Sequence, residues 1–408
     1  MAGPAPLQLK PYPGGALALD VVQARRCFPA FLICGILVSF LGAILPAWGY
    51  HLKEDFGEVG EYFLSLNLGF LLSATVSQWL LARKGLKFTL ILSNVLASGG
   101  FLFLAFYSPP MAATWRLGGV FWLGASAGLL NACMFQAISS LYERDRATTV
   151  NLASVLFGLG CLLTALLVAG TYYVYSVPGI LMLLATLPGL YACFCAKKTI
   201  MSQSPVAPVP FSQVLRKLND PSAVLFSMLL FFQFGNEWSI AGWLSLFLIR
   251  RLGISPQESL LLLALYWAAL LIGRMVSQLM LRRMSHTLML IASIVSSLLG
   301  AVVLASTNNR FGAFMGTLFV GAGFASIYPV VLEKMAHRFP AYHAGLYNGI
   351  FSLAVTGGLL APWLLGYVAE AWGIGAVMIA PMIGICVVFL LVLMILLEAK
   401  LSGLAVRN

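Results

Sequence analysis

Residues 374–399, IGAVMIAPMIGICVVFLLVLMILLEA, contain a single charged side chain, that of Glu398, in a run of otherwise apolar residues. A helix of about 20 apolar residues is long enough to cross the hydrocarbon core of a bilayer. The stretch therefore predicts a transmembrane helix. The whole chain has the same character, because 61% of its 408 residues are hydrophobic and only 9% are charged, whereas soluble domains carry about 25% charged residues.

Eleven more apolar stretches of spanning length precede this one. They lie near 28–50, 61–82, 87–107, 115–140, 147–170, 174–196, 221–249, 257–281, 287–306, 311–335 and 342–369. The interval 197–220 is polar and contains three prolines, which predicts a linker. We therefore expect an all-α integral membrane protein of twelve transmembrane helices. Its predicted parts are a tail at 1–27, six-helix bundles at 28–196 and 221–400, and a tail at 401–408.

The distribution of basic residues predicts the orientation in the membrane. Segments on the side of the N-terminus hold 18 Lys and Arg residues, and segments on the opposite side hold five. Because cytoplasmic loops carry the excess of Lys and Arg, we expect a plasma (inner) membrane protein with both termini in the cytoplasm. The formal charge of +11 thus reflects topology rather than a nucleic-acid-binding face.

The two halves of the sequence repeat each other. Val76-Ser77-Gln78 recurs as Val276-Ser277-Gln278 at an offset of 200, and Gly124-Ala125 recurs as Gly321-Ala322 at an offset of 197. Both halves begin on the same side of the membrane, so they are parallel repeats related by an axis along the membrane normal. This is the arrangement of the major facilitator superfamily, in which substrate binds between the halves near the midplane.

The second half carries a more specific resemblance. Residues 232–253 resemble helix 7 of the fucose–galactose–glucose–proton symporter family, and Tyr266-Trp267, 321–329 and 348–366 are similar to helices 8, 10 and 11 of that family. The resemblance implies sugar transport coupled to protons. Members of the family use carboxylates in helices 1 and 4, whereas here the first and fourth spans contain no Asp or Glu, and the fourth offers Asn131. Proton coupling therefore does not follow from the resemblance alone.

Glu237 is the one acidic residue well inside a predicted span. Counted from Ser222, it lies roughly 22 Å along the seventh helix, where an ionised carboxylate is costly unless it is paired or faces water. Gln233 is on the same helix face, and Asn236 is on the adjacent face. We expect Glu237 to bind a hydroxylated substrate or a coupling proton; the alternative is a carboxyl bonded permanently to a neighbouring helix.

Arg274 lies about two turns from the cytoplasmic end of the eighth span. Its side chain is expected to extend to the interface, or to form an inside gate with Glu333 or Glu143. Direct contact with substrate is the third interpretation.

Amide and aromatic side chains near mid-span predict a sugar-binding cavity, because amides bond hydroxyl groups and aromatic faces pack against sugar C–H groups. Besides Glu237, Gln233 and Asn236, the candidates are Asn67, Asn131, Gln136, Asn151, Trp238, Tyr266, Trp267, Tyr328 and Asn348. The repeated Asn151 and Asn348 are alternatively interhelical hydrogen-bonding residues.

The sequence lacks a phosphate-binding glycine loop and a histidine cluster with metal-ligand spacing, so we expect neither an enzyme nor a bound cofactor. We predict a monomeric secondary transporter in contact with membrane lipid. Its expected partners are a small polar solute, with a monosaccharide favoured, and a coupling H⁺ or Na⁺. A multidrug or amphiphile exporter of the same fold is the main alternative, and a non-transporting assembly factor or sensor is a third.

Overall fold

The structure, a computed structural model, describes residues 14–53, 55–144, 146–200, 220–281, 283–339 and 344–401. Twelve helical segments occur in these ranges, and no strand does. They are α1 (Gly14–Ile44), α2 and α3 (together Phe56–Phe106), α4 (Ala113–Arg144), α5 (Arg146–Thr171), α6 (Val177–Lys197), α7 (Pro221–Leu252), α8 (Pro256–Met280), α9 (His286–Ser306), α10 (Arg310–Arg338), α11 (Ala344–Trp372) and α12 (Ala376–Leu401). The predicted twelve-helix membrane fold is confirmed. Residues 14–27 of the predicted N-terminal tail belong to α1, so that helix begins earlier than the predicted span. Residues 1–13 and 402–408 and most of the predicted linker, 201–219, lie outside the described residues.

A glycine separates α2 from α3. Gly85 has φ 79° and ψ 172°, a non-helical conformation within an otherwise continuous helical stretch. Side chains with a Cβ rarely adopt such positive φ values, and glycine does so readily. The basic residues around it, Arg83, Lys84 and Lys87, mark this break as the short loop between the second and third spans.

The helices of the second half begin at side-chain caps that the sequence encodes. The side chain of Asp220 accepts a hydrogen bond from the backbone N–H of Ser222, and Pro221 occupies the first turn of α7. Ser255, Ser285 and Asn309 cap α8, α9 and α10 in the same way. Such caps satisfy backbone donors that lack intrahelical partners, so each span starts at a defined residue.

The outer surface is apolar, as a lipid-facing surface requires. Large side chains such as Trp79, Trp115, Leu190, Phe311 and Trp372 are at least half exposed. Eleven of the described helices are long and apolar enough to cross a membrane, counting the joined α2 and α3 as one. In water such a surface would be an aggregation hazard; in a bilayer it is solvated by acyl chains.

Three helix pairs carry most of the packing between the first six segments and the last six among the described residues. α2 packs against α11, α5 packs against α8, and α1 packs against α7. The pseudo-twofold axis that relates the halves maps the α2–α11 pair onto the α8–α5 pair, because α2 corresponds to α8 and α11 corresponds to α5. The space between the halves is therefore bounded by equivalent helices from each repeat.

The halves are bonded together on the side of the membrane opposite to the start of α1 and the end of α12, which we call the far side. Ser245 Oγ donates to the carbonyl of Gly42 at 2.6 Å, and Gln257 Nε2 donates to the carbonyl of Ala169 at 3.2 Å. On the near side, Arg26 and Arg338 bond within their own halves, to Thr199 and to Glu398. The described contacts between the halves thus close the far side.

Candidate functional site

A cavity lies between the halves where α1, α2, α7 and α11 meet. Its lining residues are Val38, Ser39, Gly42, Phe63, Leu66, Asn67, Trp238, Ala241, Gly242, Gly358, Leu359 and Pro362. Most of them are apolar or small, and Ser39 and Asn67 bring polar groups from the first half. The Nδ2 atom of Asn67 donates to the backbone carbonyl of Leu359, which ties α2 to α11 across the cavity.

Glu237 of α7 and Arg274 of α8 form a buried ion pair; Glu237 precedes the cavity-lining Trp238 in the chain, and neither charged residue itself lines the cavity. The Nη2 atom of Arg274 lies 3.3 Å from Oε1 of Glu237, and the two residues are only 7% and 5% exposed. α8, which carries Arg274, packs on α5 of the first half, and Leu271 lies against Gly158 there. The pair is therefore placed where the halves meet, inside the membrane and away from lipid.

The partner of Arg274 differs from the expected ones. Arg274 neither extends to the near-side interface nor pairs with Glu333, whose Oε2 lies 3.0 Å from Nε2 of His286 instead. A guanidinium beside a buried carboxylate gains a charge-assisted hydrogen bond in a region of low dielectric, and the two charges neutralise each other there. Arg274 and Glu333 are therefore not paired in this structure, and the gate stays a prediction; the side chain of Glu143 is outside the described residues.

Several polar atoms around the pair have no hydrogen-bond partner among the described residues. They are Oε2 of Glu237, Nε of Arg274 and both amide atoms of Gln233, which is fully buried. The expected hydrogen bond between Gln233 and Glu237 is absent, although the two residues are one turn apart. Unpaired buried polar groups are uncommon in native proteins, so this group of donors and acceptors is the strongest candidate for contact with a polar ligand.

A family profile described as the Major Facilitator Superfamily matches residues 27–359 of the chain. The chain belongs to this superfamily. A protein TsgA homolog from Buchnera aphidicola subsp. Baizongia pistaciae is 23% identical over 380 residues, which cover 90% of this chain and 93% of that relative.

Three solved structures of transporters share the fold. A mutant of the nucleoside transporter NupG superimposes with a TM-score of 0.71 at 12% identity, covering 93% of this chain and 99% of that one. A D-xylose–proton symporter gives 0.72 at 14%, covering 92% and 97%. A mutant of the fucose–proton symporter FucP of E. coli gives 0.60 at 15%, covering 92% and 99%. The expected resemblance to the superfamily is confirmed, and at these identities the structural likeness concerns the fold.

Three aromatic candidates of this major facilitator protein lie together on α7 and α8. Trp238 lines the cavity, and its ring centroid lies 5.8 Å from that of Trp267 and 6.0 Å from that of Phe157 in the first half. The hydroxyl of Tyr266 donates to the backbone carbonyl of Glu237 at 3.1 Å. Tyr266 therefore fixes the backbone that carries the acid, while Trp238 offers a ring to the cavity.

Other predicted site residues lie elsewhere. The amide oxygen of Asn236 occupies the space that a Cβ at Gly384 of α12 would need, so Asn236 faces the interior of the second half rather than the cavity. Tyr328 packs against Phe234, with ring centroids 5.3 Å apart. Gln136 is buried and Asn131 half-buried in α4. The side chains of Asn151 and Asn348 lie outside the described residues.

The sequence analysis missed a second buried charge pair, which joins Glu58 of α2 to Arg116 of α4 at 3.3 Å. Glu58 lies just outside the predicted span 61–82 and Arg116 is the second residue of the predicted span 115–140, so neither stood out as a charge inside the membrane. Arg116, in the first turn of α4, is only 4% exposed. The aromatic residues Trp48, Tyr50 and Tyr62 flank Glu58 in the sequence, but only the packing of α4 on α2 brings Arg116 to them, where buried arginine commonly packs on aromatic rings.

Proposed function

We propose that this protein is a secondary transporter that moves a small polar organic solute, with a monosaccharide as the favoured class, by alternating access coupled to an ion gradient. The observation that carries the proposal is the buried Glu237–Arg274 pair with its unpaired neighbours, placed where the two halves meet. Charged residues at this depth in a membrane protein are expensive and usually serve a pathway.

The chemistry of the unpaired atoms favours an uncharged, hydroxylated solute. Gln233 and Arg274 provide donors, and Gln233 and Glu237 provide acceptors. A hydroxyl group both donates and accepts, so a polyol can satisfy both kinds of atom at once. Because the charge of Arg274 balances that of Glu237, a neutral solute adds no uncompensated charge to the site. The ring of Trp238 supplies an apolar face for the C–H side of a sugar.

Coupling to an ion follows from the same pair. Protonation of Glu237 removes its negative charge and weakens its attraction to Arg274. The guanidinium is then free to bond the solute or the first half, which links ion binding to the packing of α8 on α5. With both termini in the cytoplasm, as the basic residues predict, the far-side-closed structure corresponds to an inward-facing state.

An exporter of cationic amphiphiles is the second candidate, and the mostly apolar lining of the cavity favours it. The charge balance of the site opposes it, because a cation would bind best to an unpaired carboxylate. Aromatic and apolar walls occur in both kinds of site. The two candidates therefore differ in the solute that the purified protein moves.

The test is transport by the purified protein in proteoliposomes. Labelled monosaccharides are offered with an imposed proton gradient, an imposed sodium gradient or none. We expect accumulation with one of the gradients and its loss in Glu237→Gln, whereas the matched Glu258→Gln, whose side chain is 43% exposed at the start of α8, keeps it. Efflux of a cationic dye without sugar uptake would replace the proposal with the exporter, and the absence of any coupled flux would favour a sensor.

A further inference from the structure

The two halves carry equivalent Glu–Arg pairs at their far-side ends. Glu58 is the third residue of α2, and Glu258, offset by 200, is the third residue of α8. Each bonds to an arginine in the first turn of the helix two further along the chain, Arg116 of α4 at 3.3 Å and Arg310 of α10 at 3.2 Å. The duplicated halves have therefore retained one charge pair in the same place.

The first-half pair is much less exposed than the second-half pair, and its arginine is buried. The side chains of Arg116 and Glu58 are 5% and 24% exposed, whereas those of Arg310 and Glu258 are 75% and 43% exposed. At the offset of 200, Leu262 takes the place of Tyr62. An exposed pair contributes little to rigidity, while a buried pair with additional hydrogen bonds fixes the geometry of everything bonded to it.

The Glu58–Arg116 pair of the first half belongs to a hydrogen-bonded network with two tyrosines. Nε of Arg116 donates to the hydroxyl of Tyr62 at 2.8 Å, and Nη2 donates to that of Tyr50 at 3.0 Å. Both tyrosine hydroxyls in turn donate to Oε1 of Glu58. The guanidinium also lies 5.9 Å from the ring centroid of Trp48. Tyr50 belongs to the turn between α1 and α2, so the network holds that turn against α4.

The same turn and the start of α2 carry contacts to the second half. The carbonyl of His51 accepts a hydrogen bond from Nη1 of Arg250 at 3.3 Å. The ring of Phe56 lies 6.3 Å from that of Trp243, and the carboxylate of Glu370 fills the space beside Gly57. These three residues are each one or two positions from Tyr50 or Glu58. The network thus anchors the backbone that closes the far side.

We propose that Glu58, Arg116, Tyr50 and Tyr62 are the anchor of the far-side gate, a fixed edge in the first half against which α7 and α11 close. The exposed pair Glu258–Arg310 does not have this role. The proposal rests on alternating access, but its test measures the position of the gate and needs neither a substrate nor a gradient.

The test is thiol labelling of the gate in lipid nanodiscs. Ser245, fully buried between α7 and α1, is replaced by Cys in a background in which the two exposed cysteines, Cys193 and Cys386, are Ser. A water-soluble maleimide is added, and labelling is followed by mass spectrometry. We expect Glu58→Gln to be labelled roughly tenfold faster at position 245, because a hydrogen-bonded charge is lost, and the matched Glu258→Gln to be unchanged.

Buried Cys161 reports unfolding in the same sample. If Glu58→Gln also exposes Cys161, the protein has unfolded, and the Tyr62→Phe variant is used to test the anchor instead. This variant keeps the ring and removes only the hydroxyl. Faster labelling at 245 with Cys161 still protected supports the anchor. Equal labelling of the Glu58 and Glu258 variants, or a Tyr62→Phe rate equal to that of the parent, overturns it. Failed transport with intact gate labelling would count against the proposed function alone.

Discussion

The guanidinium of Arg274 lies 3.3 Å from the carboxylate of Glu237, and both side chains are more than nine-tenths buried between α7 and α8. Each charge is tolerated at this depth because the other is present. The pair is neutral as a whole, yet Oε2 and Nε remain without partners. The pair therefore keeps one acceptor and one donor that the proposed function assigns to the solute.

Removing one member of the pair should destabilise the protein more than removing both. Arg274→Gln leaves a buried carboxylate uncompensated, which costs about 3–5 kcal/mol when one partner of a buried pair is lost. The double variant Glu237→Gln/Arg274→Gln leaves no net charge and should recover most of that loss. Thermal unfolding of the single and double variants in the same detergent measures the difference.

The matched control for this cycle is the exposed pair Glu258–Arg310. Its single variants should each change the melting temperature little, since exposed pairs contribute about 0–1 kcal/mol. Additive losses of stability at Glu237 and Arg274 would mean that the two charges do not compensate each other. That result would contradict the claim that each charge is tolerated because the other is present.

The sequence predicted the helices and the central acid for the same physical reason. Apolar runs about 20 residues long have few alternatives to spanning a bilayer, and a lone carboxylate within one of them is costly wherever it points. Glu237 was therefore identifiable without coordinates. The repeat at offsets near 200 likewise predicted two equivalent halves and thus a central space.

The partners across helices could not be predicted from spacing. Arg274 is 37 positions from Glu237, and its distance from the near-side end suggested an interfacial role; only the packing of α7 on α8 brings it to the acid. Asn236 was expected to serve the site, but the rotation of α7 turns it toward Gly384. Contacts between helices depend on how each helix is rotated about its axis and tilted in the membrane. The helical periodicity of a single sequence does not specify either angle.

Trp238 should contribute to solute affinity rather than to stability. It lines the cavity and is half-buried, unlike fully buried Trp243, whose Nε1 donates to the carbonyl of Pro362 at 2.9 Å. Aromatic contacts are worth about 0.5–1.5 kcal/mol beyond their area, so Trp238→Ala should raise the KM for transport by roughly tenfold. Trp243→Ala should instead lower the melting temperature. A Trp238→Ala protein that is unstable but has an unchanged KM would assign this ring to packing.

Asn67 should hold the halves together near the midplane. Its amide donates to the carbonyl of Leu359 in the other half, and loss of one such bond costs about 1 kcal/mol. Asn67→Ala should therefore shift the population away from the far-side-closed state by about fivefold. The distance between spin labels on the far-side ends of α2 and α11 measures the shift. Ser65→Ala, which removes a bond to Leu117 within the first half, is the control and should leave the distance distribution unchanged.

Gly42 separates closure of the gate from stability of the halves. A Cβ there would lie 2.2 Å from the carbonyl of Ala241 in α7, a backbone atom of the opposite half. Gly42→Ala should therefore open the far side, because the clash disappears when the halves move apart, while each half keeps its own packing.

Gly160 provides the control. A Cβ there would be equally crowded, 2.0 Å from the carbonyl of Leu32, but that carbonyl belongs to the same half. Gly160→Ala should lower the melting temperature without opening the gate. Thiol labelling at position 245 and thermal unfolding, measured on both variants, distinguish these effects; a Gly42→Ala protein that stays closed would show that the halves can slide past each other on the far side rather than separate.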